Sequence, residues 1–277
     1  MKNYALLMAT ILAGAVCADR AQGQTPDKPV DHKAPVRDAE WMDKRMGQGS
    51  GMLYSSQELK PEGQLIDFGG RFCSIALARS NRYVLIKTSS QLVSVDADAF
   101  KGVQNTAFPA DNGGSMHGLA VTPDGATAYV TGGKGRLFMV EVASNGTFAF
   151  RRDINLADGG KPVNPLGVAL LPDGKRALVA RSIANDVVLV DLEAGKIEAR
   201  IPVGICPYSV AVTKDGKTAF VSNYGGGRPG QGQKTEKSAG SAVAVDARSI
   251  AAAGTVSVVE LDGKPREVTQ LRVGLHP

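Results

Sequence analysis

A segment that recurs along the 277-residue chain constrains the fold more than any other feature. Three copies align without a gap, at residues 117–131, 166–180 and 208–222. Each copy has an Asp-Gly pair at its centre, with the glycines at Gly125, Gly174 and Gly216, which are 49 and 42 residues apart. A degenerate fourth copy covers 74–86, where Ser80-Asn81 replaces the Asp-Gly pair. The chain is therefore an array of similar structural units.

Each unit has the pattern of four antiparallel strands. An alternating apolar strand leads into Asp-Gly, a pair that accepts the positive φ angles of a tight hairpin turn, and a second strand follows. Third strands are predicted at 92–95, 137–140, 187–190 and 256–259, and fourth strands end near Gly204 and Gly274. A period of about 40 to 50 residues with strand content is typical of β-propeller blades. We predict an all-β β-propeller of four-stranded antiparallel blades over residues 61–277, with about four blades in an incomplete ring.

The number of strands indicates that the ring is unfinished. Gln64–Phe68 has the pattern of a lone fourth strand, yet the last unit has its own fourth strand near Arg266–Val273. The chain stops at Gly274-Leu-His-Pro277, which matches the start of another unit at Gly204-Ile-Cys-Pro207. We therefore expect these residues to be the N-terminal part of a longer protein. The alternative is a complete four-bladed ring.

The N-terminus has the pattern of a secretory signal peptide. Lys2 precedes a short apolar run, and small residues before Ala18 or Gly23 suit a signal peptidase. The run is shorter than the roughly 20 residues that span a bilayer, so no transmembrane anchor is predicted. Cys17 leaves a lipoprotein as the alternative. We predict a signal peptide at 1–23, a flexible leader at 24–60, and a secreted or periplasmic protein.

Several motifs resemble a known family. Tyr129-Val-Thr131, Phe220-Val-Ser-Asn223 and the Asp-Gly turns are similar to YVTN-type β-propeller repeats, found in secreted and surface proteins. The long insertion at 225–253 resembles that of bacterial proteins in which the propeller precedes an alkaline-phosphatase-like phosphoesterase domain. The resemblance implies a phosphoesterase domain as a partner in a longer parent. The nucleophile and metal-ligand motifs of that domain have no counterpart in these residues.

The sequence offers little catalytic chemistry of its own. The histidines are His32, His117 and His276, and none has a partner at metal-site spacing. No Gly-x-Ser-x-Gly nucleophile elbow is present. We therefore predict no catalytic residue, no metal and no cofactor. A lactonase-like enzyme that uses channel residues remains the alternative, with His117 as its one plausible inner imidazole.

Charge and cysteine content point to no special class of partner. The formal net charge is +5, and the basic residues are scattered among turns without a nucleic-acid motif, so no nucleic-acid partner is predicted. Cys73 and Cys206 fall in the first and fourth units, far apart in a ring of seven, so two buried free thiols are expected rather than a disulfide.

One face of the propeller is the predicted binding face. Loops that join fourth to first strands and second to third strands share this face, and loops carry binding because they vary without disturbing the core. Its candidate residues are Arg71, His117, Arg181, Tyr208, Asn223, Tyr224 and Arg228. The insertion 225–253 lies there too, either as part of the site or as a decorative loop. We predict a secreted, non-catalytic binding or scaffolding module whose partner is a protein or the C-terminal phosphoesterase-like domain.

Overall fold

The computed structural model describes residues 51–52, 58–59, 64–66, 68–109, 113–157, 159–251, 253–275 and 277. The predicted signal peptide, most of the predicted leader, His32 and His276 lie outside these residues. The chain divides into a unit at 1–65 and a unit at 66–277. In the first unit, strand β1 (Gly51–Met52) pairs antiparallel with β2 (Glu58–Leu59).

Four sheets of four antiparallel strands make up the second unit. The first contains β3 (Phe72–Ala78), β4 (Tyr83–Thr88), β5 (Gln91–Asp96) and β6 (Lys101–Ala107). The second contains β7 (Gly114–Val121), β8 (Thr127–Gly132), β9 (Arg136–Val142) and β10 (Phe148–Asn155). The third contains β11 (Pro165–Leu170), β12 (Arg176–Arg181), β13 (Asp186–Asp191) and β14 (Lys196–Pro202). The fourth contains β15 (Pro207–Val212), β16 (Thr218–Asn223), β19 (Gly254–Glu260) and β20 (Arg266–Val273).

This architecture confirms the predicted fold class. The described residues contain no α-helix, and their four sheets follow one another without closing a ring. The segment between β16 and β19 adds a small hairpin of β17 (Thr235–Ser238) and β18 (Ser241–Ala244).

No helix in the described part of the chain is long and apolar enough to cross a bilayer.

Local side-chain chemistry fixes the turns of the sheets. Gly125, Gly174 and Gly216 all have positive φ, between 68° and 71°. Asp96 Oδ1 accepts hydrogen bonds from the backbone N–H groups of Asp98 and Ala99, both at 3.0 Å, and Asp191 does the same two sheets later. Acidic residues that recur at the ends of the third strands therefore serve as turn formers.

Adjacent sheets bury their apolar faces against each other. The third sheet contributes Leu178, Leu189 and Ile201, which pack against Ala219 and Val221 of the fourth. Similar clusters lie between the first and second sheets and between the second and third. Side chains alternate between the two faces of a strand, so each inner sheet packs on both sides. The two outermost sheets each have one face with no described sheet against it.

The inner strands of neighbouring sheets approach so closely that two glycines are required. A Cβ at Gly118, on β7, would overlap the carbonyl oxygen of Leu166 on β11 and the hydroxyl of Thr131. A Cβ at Gly167, on β11, would lie 2.8 Å from Ser209 Cα on β15. Strands β7, β11 and β15 are therefore consecutive around the axis, which brings the residues at their N-terminal ends together.

The structure corrects the expected lone strand at Gln64–Phe68. Residues 64–66 and 68 are not in a strand. Each of the four sheets of the second unit already has its fourth strand, so none of them lacks the strand that this segment would supply. The ring of Phe68 lies next to Gly102 of β6, at 3.4 Å from the position that a Cβ would have there.

Candidate functional site

One layer of side chains lies where the inner strands converge. The register of the four inner hairpins makes Cys73, His117, Leu166 and Tyr208 equivalent positions. The rings of His117 and Tyr208 stack, with centroids 5.2 Å apart and planes at 10°. Tyr224, at the start of the insertion, continues the row at 5.5 Å from Tyr208. We call these three residues the aromatic row.

His117 links three sheets through its ring nitrogens. Nδ1 lies 3.2 Å from Ser74 Oγ on β3, and Nε2 lies 3.4 Å from Ser209 Oγ on β15. Burial and, after it, the charge of Lys87 lower the pKa of His117. The imidazole is therefore neutral near pH 7, so that one ring nitrogen accepts a hydrogen bond and the other donates one. Ser74 and Ser209 occupy the positions of Gly118 and Gly167 in the other sheets, which gives this histidine its two hydroxyl partners.

Lys87 is the most unusual residue of the region. It lies on β4 with a relative exposure of 0%. Its ammonium donates to Ser115 Oγ at 2.9 Å, to Thr131 Oγ1 at 3.1 Å and to the carbonyl oxygens of His117 and Gly118. These partners are hydroxyls and carbonyls rather than a carboxylate. Burial lowers the pKa of Lys87 to about 7.

Lys87 is not among the site residues that the sequence predicts, although its position in the repeat carries a signal. The equivalent positions on β8, β12 and β16 are Thr131, Ala180 and Ser222. The other sheets have small residues at this buried repeat position. Packing of the sheets therefore does not require a lysine there. The degenerate copy at 74–86 ends one residue before Lys87.

Stability should rise with pH near neutrality because of Lys87. Its folded pKa of about 7 lies below the ordinary value of 10.5, so between these values the unfolded chain binds more protons. We expect the free energy of unfolding to increase by about 2 kcal/mol from pH 7 to 9 through this group. Lys87→Met should abolish that increase, while Lys196→Met, at an exposed position on β14, should retain it. Urea denaturation at each pH measures the slopes, and parallel curves for the protein and Lys87→Met would contradict the assignment.

The aromatic row lies beside a cation and a thiol. Arg71 is exposed, and its charge acts on both Cys73 and Tyr208. Burial raises the pKa of the Cys73 thiol and that of the Tyr208 phenol, so both groups are neutral near pH 7. Of the seven predicted site residues, the structure brings together Arg71, His117, Tyr208 and Tyr224.

Arg181 and Asn223 act from inside the protein. Both have a relative exposure of 0%. Arg181 Nε donates to Asp186 Oδ1 at 2.8 Å, Nη2 donates to Oδ2 of the same carboxylate, and Nη1 donates to the Leu156 carbonyl at 2.9 Å. Asn223 Nδ2 donates to Thr255 Oγ1 at 3.0 Å and Ser257 Oγ at 2.7 Å. Both side chains hold loops and strands in place, and neither presents an exposed group to a partner.

Arg228 ties the insertion to the third sheet. Its Nε donates to the Val203 carbonyl at 3.2 Å, and its Nη2 donates to the Asn185 carbonyl at 3.1 Å. Asn185 Nδ2 in turn donates to Ser241 Oγ at 2.7 Å, and its Oδ1 accepts from the Cys206 N–H at 2.8 Å. The insertion is therefore fastened at both its start and its hairpin.

The two cysteines in the described part of the chain are free thiols in the segments of two different sheets. Cys73 lies on β3 and Cys206 precedes β15, and both are half-buried rather than buried as expected. The thiol of Cys206 is 3.1 Å from Ser182 Oγ. Within the described residues, no group of three or more His, Cys, Asp or Glu side chains is arranged to hold a metal ion.

Comparison with known proteins identifies the fold of the chain but no protein family to which it belongs. No protein-family model matches the chain, and no curated protein sequence matches it. Hydrazine synthase of Kuenenia stuttgartiensis is 20% identical with a TM-score of 0.55, over 78% of this chain and 53% of that one. The periplasmic gluconolactonase PpgL of Pseudomonas aeruginosa is 19% identical with a TM-score of 0.55, over 74% and 55%. The dihydro-heme d1 dehydrogenase NirN is 17% identical with a TM-score of 0.51, over 73% and 38%.

These neighbours are β-propellers, and the likeness establishes the same fold for this chain. The chain spans about half the length of the first two and less of the third.

Proposed function

We propose that the chain is a secreted, non-catalytic β-propeller module that binds and scaffolds further propeller sheets of a longer parent protein. The observation that carries the proposal is an open apolar face on the fourth sheet. Phe220 and Leu271 lie on this face with relative exposures of 40% and 49%. Val258 lies on the same face because it pairs with Phe220, and Val256 does because it pairs with Leu271. We call these four residues the fourth-sheet flank.

The fourth-sheet flank repeats a face that is buried elsewhere in the protein. Phe220, Val256, Val258 and Leu271 are equivalent to Leu178, Val187, Leu189 and Ile201 of the third sheet. Those four residues are 0–3% exposed, because the fourth sheet covers them. A face with the same residue types in the same register fits the same occupant, which is another four-stranded sheet.

The first sheet has the complementary open face. Ile75 and Leu77 are 46% and 51% exposed. Their equivalents on the fourth sheet are Val210 and Val212, which pack against the third sheet. Large contiguous apolar patches on a protein surface are typical of interaction sites. Both ends of the array are therefore suited to receive propeller sheets.

The fourth-sheet flank should make the isolated chain self-associate. We expect its weight-average mass to rise with concentration in sedimentation equilibrium, because uncovered flanks bury apolar area against each other. Leu271→Lys should weaken this association at least about tenfold through loss of apolar burial and charge repulsion. Ile250→Lys is the matched control, since Ile250 is 47% exposed but lies in the insertion. A chain that stays monomeric, or equal effects of both variants, would contradict a docking role for the flank.

The source of the covering sheets is tested on the natural protein. Peptides that continue beyond Pro277 into further strand repeats support the proposal, and an endogenous C-terminus at Pro277 would overturn it. A phosphoesterase-like domain after those repeats would agree with the resemblance of the insertion. Export is proposed from the N-terminal pattern at 1–23, and one structural neighbour is described as periplasmic. Cell fractionation of the natural protein tests this part.

His117 is the residue that distinguishes a non-catalytic module from a lactonase-like enzyme. The ring nitrogens of His117 contact two serine hydroxyls, and no carboxylate of the described residues orients the imidazole as a base. Lactone hydrolysis that is lost in His117→Asn, with the fold intact by circular dichroism, would favour the enzyme.

A further inference from the structure

A cavity of about 250 Å³ lies between the third and fourth sheets and the inserted hairpin. The loop after β12 contributes Ser182, Ile183 and Asn185, and the loop before β15 contributes Ile205 and Cys206. The insertion supplies the opposite wall. Neither Lys87 nor any residue of the two open flanks lines this cavity, and Tyr224 of the aromatic row does.

The wall formed by the insertion is fixed in place. Asn185 joins both sides of the cavity, since its amide donates to Ser241 on β18 and accepts from the backbone of Cys206. Arg228 holds the start of the insertion to the Asn185 carbonyl. Val243 of β18 is 9% exposed, so the hairpin packs an apolar side chain inward. The cavity is thus a built feature, which favours a binding role for the insertion over a decorative one.

The lining of the cavity is mostly apolar and includes a few polar groups. Ile183, Ile205, Val243, Val245 and Ala251 supply aliphatic surface. Ser182 Oγ and Cys206 Sγ share one hydrogen bond, so a second hydrogen of this pair is available to a ligand acceptor. The carboxylate of Glu236 on β17 also belongs to the lining.

Glu236 is the charged side chain of the lining. In the described residues its Oε1 accepts from Ser249 Oγ at 3.2 Å and forms no ion pair. Lys234 donates to the same Ser249 hydroxyl at 3.0 Å. A carboxylate at the edge of an apolar cavity retains acceptor capacity for an ammonium group.

We propose that this cavity binds a small organic amine, with its apolar body between the two sheets and its ammonium group on Glu236. A cavity of about 150 Å³ holds benzene, and drug-sized ligands need about 300 Å³ or more. The volume of about 250 Å³ therefore suits a single ring or a short aliphatic chain with a polar end. A ligand with a carboxylate in place of the amine would meet Glu236 with like charge.

Thiol labelling of Cys206 reports occupancy, because Cys206 lines the cavity. In a Cys17→Ser, Cys73→Ser background, a maleimide reacts with Cys206 alone. The probes are 2-phenylethylamine, 2-phenylethanol and phenylacetate, which share the ring and differ in charge. We expect saturating 2-phenylethylamine to slow labelling at least about threefold, 2-phenylethanol to act only at higher concentration, and phenylacetate to have no effect. An unchanged rate with the amine, or equal protection by all three probes, would overturn the proposal.

Glu236→Gln tests whether the Glu236 carboxylate binds the ammonium group of the ligand. It should raise the concentration of amine needed for half protection about fivefold and remove the preference for amine over alcohol. Glu198→Gln is the matched control, because Glu198 is an exposed carboxylate on β14 outside the cavity. Both variants change exposed groups and should unfold at the same urea concentration as the parent, which separates lost binding from lost structure. Equal weakening by the two variants would show a general charge effect and overturn the assignment of Glu236.

Discussion

Gly118→Ala is expected to abolish the folded state. The new Cβ would overlap the backbone carbonyl of Leu166 in the neighbouring sheet, and backbone cannot move aside as a flexible side chain can. It would also displace Thr131 Oγ1, which donates to that carbonyl at 2.9 Å. Gly118 has a φ of 95°, which disfavours alanine independently. We expect a loss of at least about 4 kcal/mol in the free energy of unfolding.

Gly174→Ala separates steric overlap from backbone strain. Gly174 has a φ of 68°, but nothing lies within 4 Å of its Cβ position. The alanine there should cost about 1 to 2 kcal/mol, through the left-handed conformation alone. Far-UV circular dichroism and urea denaturation of both variants measure the difference. If Gly118→Ala were as stable as Gly174→Ala, the close approach of β7 and β11 would be wrong.

The hairpins could be predicted from sequence because their determinants are local. Asp-Gly at 124–125 supplies the turn hydrogen bond and the positive φ within a few residues, whatever surrounds it. The continuous apolar runs of β12 and β13 predict strands that are buried on both faces. The period of the repeat then predicts an array of such sheets. These features do not depend on how distant parts of the chain meet.

The candidate site depends on contacts between distant parts of the chain, and the sequence predicts such contacts less well. Arg181 and Asn223 end their strands on the side of the predicted binding face, but the contacts that bury them come from Asp186, Leu156 and Thr255. Burial of Lys87 likewise depends on hydroxyls of the next sheet. His117 and Tyr208, by contrast, could be predicted to lie on one face, because the start of an inner strand is a repeat position.

Asp186→Ala should be the most damaging change of a charged residue in the third sheet. The carboxylate binds two nitrogens of Arg181, whose guanidinium is fully buried. Removal of the carboxylate leaves a buried charge with the Leu156 carbonyl as an acceptor, and breaking buried pairs in this way costs about 3 to 5 kcal/mol. The effect should change little with salt, because ions screen buried pairs weakly.

Two comparisons show whether the buried charge is the cause. Glu141→Ala breaks the surface ion pair between Glu141 and Arg151, in which the glutamate side chain is 52% exposed and the arginine side chain 57%. This change should lower the free energy of unfolding by less than about 1 kcal/mol. Arg181→Met combined with Asp186→Ala removes the charge as well as the Asp186 carboxylate, and should be more stable than Asp186→Ala alone, because an apolar side chain then replaces a buried cation that has lost this carboxylate. Urea denaturation of the three variants gives the ranking. If the double variant were the least stable, the contribution of Arg181 would come from its packing and its bond to Leu156, and the ion pair would not be what holds the β12–β13 loop.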